Sequence, residues 1–270
     1  MRAFAEKVSH QIGDEGELRQ EVAFREGDFT DYYRASTFGD QSVTFRWAFD
    51  STGDIAAFRV TPTPAPADTG MEGYEVKAKT TLPLGKAQNG MWYTIWGGDD
   101  AVHNKHVPSK EQRWAYDFLI MLGGDYKEGA GDRNEQHYCW GQPVAAPADG
   151  RIVSAINDVP DNEVVGQINF EQPTGNHVII DHGNDEYSLI AHFKRGSVTV
   201  VEGDEVTRGQ ILGECGNSGQ SSLPHVHYHM SNSATYGEGA GLPVVFEDYF
   251  VGGLFQPAGQ PRRGDYIVMP

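Results

Sequence analysis

From Ala115 onward the chain is a succession of short apolar runs broken by glycine-bearing turns. "WAYDFLIML", "GRIVSAIND", "GNHVIID", "EYSLIAHF" and "GQILGECGNSG" follow one another, and none carries a strong, long helical pattern. Runs of this length, bounded by turn signals, read as strands. No strand–helix–strand spacing recurs, so a mainly β fold with an antiparallel sheet core is expected rather than a doubly wound parallel sheet. The 33 glycines in 270 residues agree with a turn-rich β chain. Further upstream, Val43, Phe45, Trp47 and Phe49 alternate with polar or small residues, "DSTGD" is a turn and "IAAFRV" a second strand. Residues 41–60 therefore read as a β-hairpin with one apolar face. A lone hairpin is marginal in water, so that face needs a cover, either from the rest of the chain or from a second copy in a homodimer.

Composition shifts divide the chain. Residues 1–20 are polar and read as a poorly ordered N-terminal tail, and 21–62 form the N-terminal hairpin region. The proline-rich "TPTPAPADTG" marks 63–95 as linker and strands. Residues 96–250 form the main β domain, and the Gly- and Pro-rich 251–270 read as a C-terminal tail. A formal net charge of −17 argues against nucleic acid and anionic membrane partners. No run of about 20 apolar residues is present, so no membrane span is expected. The first 20 residues lack the apolar core of a signal peptide, so the protein is either cytoplasmic or has lost its signal by truncation or processing. Cys139 and Cys215 are too few for a four-cysteine zinc site, and both a bridge and two buried thiols remain open.

The chemistry concentrates in a few groups. "SLPHVHYHM" places His225, His227 and His229 at every second position, so a strand presents all three on one face. Their Cα atoms would stand roughly 6–7 Å apart, which suits a metal ligand beside a catalytic base, although an exposed polar edge would carry the same pattern. Asp117 sits in the middle of "AYDFLI", where an unpaired carboxylate is costly. His192 ends the strand "YSLIAH". Zinc takes His nitrogen and carboxylate oxygen in a tetrahedral set with one open position, and neighbouring imidazoles move protons. Asp117 and His227 as ligands, with His192 and His225 in proton work, supply most of the parts.

Together, "GNHVIIDHGNDEYSLIAHF", "GDEVTRGQILGECGNSG" and "LPHVHYHM" resemble the lysostaphin-type zinc metallopeptidases, the β-lytic endopeptidases of peptidoglycan. The resemblance covers Arg113–Met230. "APADG" and the Gly-Asp-x-Val turn also fit lipoyl and biotinyl carrier barrels, but no suitable turn lysine stands near "GECGNSG". The resemblance implies an antiparallel sheet with a groove floored by Zn2+. It implies ligation by Asp117 and by His227, the second His of His-x-His, and catalytic roles for His192 and His225. His229 has no family role and reads as a solvated residue or a support for the ligands. The family's first ligand, four residues before the Asp, is here Arg113, whose guanidinium has no lone pair for a metal. "QRWAYD" resembles a family branch that carries Asn-x-His upstream of QRxAxD, matching Asn104 and His106. His106, rather than the neighbouring His103, is therefore expected in the groove as the third ligand or on the substrate side, with Arg113 turned away from the metal or paired with a carboxylate. His137, His177 and His182 are expected outside the chemistry. The implied function is a zinc-dependent metalloendopeptidase acting on peptidoglycan cross-links or a related peptide, in the periplasm or outside the cell. The alternative is a catalytically inactive relative that binds cell wall or activates another hydrolase.

Overall fold

The computed structural model describes residues 13–270. It falls into two compact units, the first ending at Ala65 and the second running from Pro66 to Pro270. The start of the expected N-terminal tail, 1–12, lies outside the described residues.

The first unit is a four-stranded antiparallel meander of β1 (Glu15–Glu26), β2 (Phe29–Phe38), β3 (Gln41–Phe49) and β4 (Ile55–Pro62). The hairpin expected at 41–60 is β3–β4, but it is not alone. β1 begins inside the segment expected to be a tail, and β2 pairs along the full length of β3. Strand β1, "EGELRQEVAFRE", is an edge strand exposed along its first half, and alternation appears only from Gln20 through Val22 to the buried Phe24. On one face Tyr32, Trp47 and Phe58 are direct cross-strand partners, with ring centroids 5.4 and 5.2 Å apart, and Phe45 stacks on Trp47. On the other, Arg46 donates to both carboxylate oxygens of the buried Asp31, at 3.0 and 2.7 Å.

The second unit holds β5 (Met91–Trp96), β6 (Tyr116–Met121), β7 (Pro143–Ala145), β8 (Gly150–Ile156), β9 (Asn176–Asp181) and β10 (Tyr187–Phe193). It continues through β11 (Glu205–Val206), β12 (Ile211–Glu214), β13 (Val226–Ser231), β14 (Phe246–Val251), β15 (Leu254–Gly259) and β16 (Tyr266–Val268). Ten of these form one sheet in the order β11-β8-β9-β10-β13-β6-β5-β16-β14-β15, and β12 pairs with β7. The named strand pairs are antiparallel, as expected for the fold class. The expected boundaries at 96 and 250 differ from the structure at both ends. Strand β5 begins at Met91, and the segment read as a C-terminal tail carries β15 and β16, which complete one side of the sheet. Leu254 and Phe255 on β15 are exposed, and an edge strand with no buried face looks like loop in sequence. By contrast "YEVKAKTTLPL", within the segment expected to hold linker and strands, forms only isolated bridges, at Thr80 and Leu84.

Alternation sorts the central strands. Tyr116, Phe118 and Ile120 of β6, Ile190 of β10, and Val226, Tyr228 and Met230 of β13 point into the core. Asp117, Ala191, His225, His227 and His229 lie on the opposite face. Behind the sheet, Cys139 and Cys215 are bridged, with Cα atoms 5.9 Å apart across 76 positions of sequence. Closing a loop of that length restricts the unfolded chain by about 4 kcal/mol in the chain-entropy model. Cys139→Ser or Cys215→Ser should therefore lower unfolding free energy by about 2–4 kcal/mol. Urea melts of wild type with and without reductant should differ by a similar amount, and unchanged midpoints would refute the bridge's contribution.

Candidate metal centre

The register of three adjacent central strands builds the site. His227 of β13 lies directly opposite Asp117 of β6 on one side and Ala191 of β10 on the other. Direct partners share a face, so the imidazole and the carboxylate meet while the small Ala191 leaves room above. His227 Nδ1 stands 2.8 Å from Asp117 Oδ1. Two residues earlier on the same face, His225 turns its Nε2 toward Asp117 Oδ1 at 3.7 Å.

By alternation His192 should face away, because its neighbour Ala191 faces the groove. It is turned back by a register break between Ala191 and Phe193 and by a left-handed backbone, φ 67°. A bulge re-aims a side chain in this way, at a cost in backbone strain. The "GNSG" turn then fixes the ring, since Ser218 O accepts the Nδ1–H at 2.8 Å. That turn packs directly on the chain beyond His192. A Cβ at Gly216 would lie 2.1 Å from Lys194 N, so only glycine fits. The rings of His192 and His225 are 4.8 Å apart.

His106 arrives on a turn rather than a strand. Asn104 donates its amide to Gly98 O and Ala115 O, which leaves its Oδ1 to accept both the backbone N–H and the ring Nδ1–H of His106, at 3.0 and 2.9 Å. The Asn-x-His spacing thus has a mechanical sense, because Asn104 holds the ring with Nε2 toward Asp117 Oδ2, 3.5 Å away. His225 is held likewise, its Nδ1 2.8 Å from Leu223 O. In His106, His192 and His225 the proton therefore sits on Nδ1 and the Nε2 lone pair is left for the groove.

Burial pushes all four imidazoles below the ordinary histidine range, His106 and His192 well below it and His227 down to about 4 despite the adjacent Asp117. They are neutral at pH 7, as metal ligation and proton acceptance require. Burial opposes ionisation of Asp117, but its surroundings, Lys105 first, hold the carboxylate well below its usual value. Lys105 Nζ lies 2.6 Å from Asp117 Oδ2 and is the formal positive charge there.

The ligand atoms of His106, Asp117 and His227 all lie within 4.8 Å of one another. Two neutral nitrogens and one carboxylate oxygen are a zinc donor set, with the fourth position left for water or substrate. The residues fit the ion in a second respect as well. The Lys105 ammonium marks the point where the buried carboxylate demands a cation.

Arg113 does not line the groove. It is buried beside Trp114, its guanidinium carbon 5.0 Å from the ring, and its Nε and Nη1 have no hydrogen-bond partner among the described residues. Glu72, Asp99 and Asp100 bear on it electrostatically, outweighed by burial, which lowers its pKa. His103 pairs with Asp100, His137 with Gly131 O, His177 with Thr174 and Gly175 O, and His182 with Asp149 O and Ser188. None of these four lines the groove. His229 is buried behind His227, so it is not solvated. Sequence reasoning missed Lys105, Gln220 and Tyr236 as lining residues, and it assigned no role to Gln112 although that residue opens "QRWAYD"; all four line the groove.

Residues 137–238, well under half of the chain, match the model of peptidase family M23. A peptidoglycan DD-endopeptidase, ShyA of Vibrio cholerae, is 32% identical over 90 residues, which are 33% of this chain and 17% of that protein. The murein hydrolase activator NlpD of Salmonella dublin is 29% identical over 124 residues, 46% of this chain and 29% of its own length. The chain thus spans less than a third of either relative. A crystal structure of a putative M23 peptidase from Pseudomonas aeruginosa aligns with 86% of this chain and 87% of its own at 18% identity, with a TM-score of 0.33. The matched stretch holds His192, His225 and His227, whereas His106 and Asp117 lie upstream of it. The segment from residue 137 to 238 thus matches peptidase family M23.

Proposed function

We propose that the chain is a zinc-dependent metalloendopeptidase acting on peptide cross-links of peptidoglycan or a related peptide, with His106, Asp117 and His227 as metal ligands and His192 and His225 as the proton-handling pair. The observation that carries this reading is the convergence of three ligand atoms beside two neutral imidazoles whose Nε2 lone pairs face the same space. Zinc held there would supply a Lewis acid for the scissile carbonyl and activate water at neutral pH.

The chain's own residues would do the rest. With Nδ1–H tied to a backbone carbonyl, either His192 or His225 can accept a proton at Nε2 from the attacking water and return it to the departing amine. The other, once protonated, can donate to the oxyanion of the tetrahedral stage. The wall residues Gln112, Thr174, Gln220 and Tyr236 offer hydrogen bonds to an extended peptide. A bridged pair of cysteines and cell-wall-acting relatives support work in the periplasm or outside the cell.

One observation favours the second reading, an inactive relative that binds cell wall or activates a hydrolase. Lys105 already neutralises Asp117, so the carboxylate is satisfied without a metal. Elemental analysis separates the two. The enzyme reading expects about one zinc per chain, and a metal-free chain that remains folded and inert with added zinc would sink it.

His227→Ala, Asp117→Ala and His106→Ala should each lose most bound zinc. His192→Ala and His225→Ala should keep zinc while turnover on isolated peptidoglycan falls by about 10²–10⁴-fold. Equal zinc loss in all five would mean that ligands and proton carriers are wrongly divided.

Acidity should unfold the metal-free chain early. Burial holds His106, His137, His177, His182, His192, His225 and His227 below their unfolded value near 6.5. Below that pH the unfolded chain binds protons that the folded chain refuses, so stability falls as pH drops. His227 contributes down to about pH 4, where it protonates in the folded state. Each imidazole adds up to about 1.4 kcal/mol per pH unit in its window. Chemical melts between pH 4 and 8 should show this loss starting near 6.5, and a flat profile would contradict it.

A further inference from the structure

We propose that His229 and Glu111 form a positioning relay behind His227 that fixes which of its ring nitrogens is free for a metal. The proposal rests on the reading of His227 as a ligand. His227 Nδ1 faces Asp117, and its Nε2 faces the other way, 3.0 Å from His229 Nδ1. His229 is 1% exposed. Its own Nε2 is buried without a hydrogen-bond partner among the described residues and points at Glu111 Oε1, 3.8 Å away. Glu111 is also buried, and its Oε2 accepts the Gly237 N–H at 2.7 Å. Asp117, His227, His229 and Glu111 thus form a continuous line with a carboxylate at each end.

Two neutral arrangements fit this line. In the first, His227 donates from Nδ1 to Asp117, and His229 donates from Nδ1 to His227 Nε2. That leaves the lone pair of His229 Nε2 aimed at the Glu111 carboxylate, a repulsive contact that agrees with the unpaired nitrogen and the 3.8 Å gap. In the second, His227 donates from Nε2 to His229 Nδ1, and His229 donates from Nε2 toward Glu111. His227 Nδ1 then carries a lone pair toward Asp117 and His106. Each ring holds one proton in both arrangements, so the proton count does not change. The tautomer that presents His227 Nδ1 to a cation is the same one that pairs His229 with Glu111. A ligand imidazole whose second nitrogen is tied to a carboxylate, directly or through another group, is better oriented and more basic. An apolar residue would fill the strand position of His229 without the cost of a buried unpaired nitrogen. Simple packing therefore leaves the imidazole unexplained.

The test uses the full chain with His229→Leu, His229→Gln and Glu111→Gln, and measures zinc affinity by competition with a chromophoric chelator. His229→Leu should weaken zinc about 10–100-fold. His229→Gln, whose amide oxygen can still accept from His227 Nε2, should recover most of it, and Glu111→Gln should fall between. If folded His229→Leu binds zinc as wild type does, the relay is wrong while the site reading stands. If His229→Leu fails to fold, the other two variants carry the comparison. If wild type binds no zinc, the site reading fails, and nitrogen NMR of the metal-free chain still decides the relay. A through-hydrogen-bond coupling between His227 Nε2 and His229 Nδ1 is expected, and its absence overturns the relay whatever zinc does.

Discussion

A carboxylate buried at the centre of a ten-stranded sheet needs positive charge or donors, and Asp117 gathers the rest of the site around that need. It is 1% exposed on β6. His227 reaches it from the next strand, Lys105 and His106 from a turn, and His225 from the start of the histidine strand. Each partner comes from a different distance in sequence, so the anion is a tertiary anchor rather than a local feature. Removing it would leave the Lys105 ammonium and several imidazoles crowded around an apolar gap. Replacing Lys105 by a divalent ion would keep the same charge logic with more of it.

The sheet explains why the anchor can be so deep. Strands β10, β13 and β6 have neighbours on both sides, and their core faces carry large apolar residues such as Tyr116, Phe118 and Tyr228. Their backbone hydrogen bonds are therefore satisfied without water, and the opposite face is free to be polar. The same antiparallel pairing that buries Tyr228 against Tyr116 sets His227 against Asp117 one position away.

Much of this was legible in the residues. Three histidines at period two imply one face, and an aspartate inside an apolar strand implies a partner. His192 was legible as the end of a strand, but its return to the groove depends on a left-handed backbone that no pattern announces. Arg113 could be excluded as a ligand from its chemistry alone. Lys105 could not be found, because a lysine in a polar turn looks like any solvated charge. The same limit hid β15, an edge strand with no buried residue to set an alternation, and the exposed first half of β1. Register, bulges and edges are settled by neighbours, and neighbours are remote in sequence.

His106 differs from its two companions in one respect. Asp117 and His227 belong to central strands whose opening would break the core, whereas His106 belongs to a turn held by the two amide bonds of Asn104. Any trio built in this way is rigid on two sides and hinged on the third. Exchange of whatever the trio holds would follow the lifetime of the 98–107 turn rather than that of the sheet. Affinity would then answer to the strands and the turn together, since all three ligands count, while the exchange rate would answer chiefly to one asparagine.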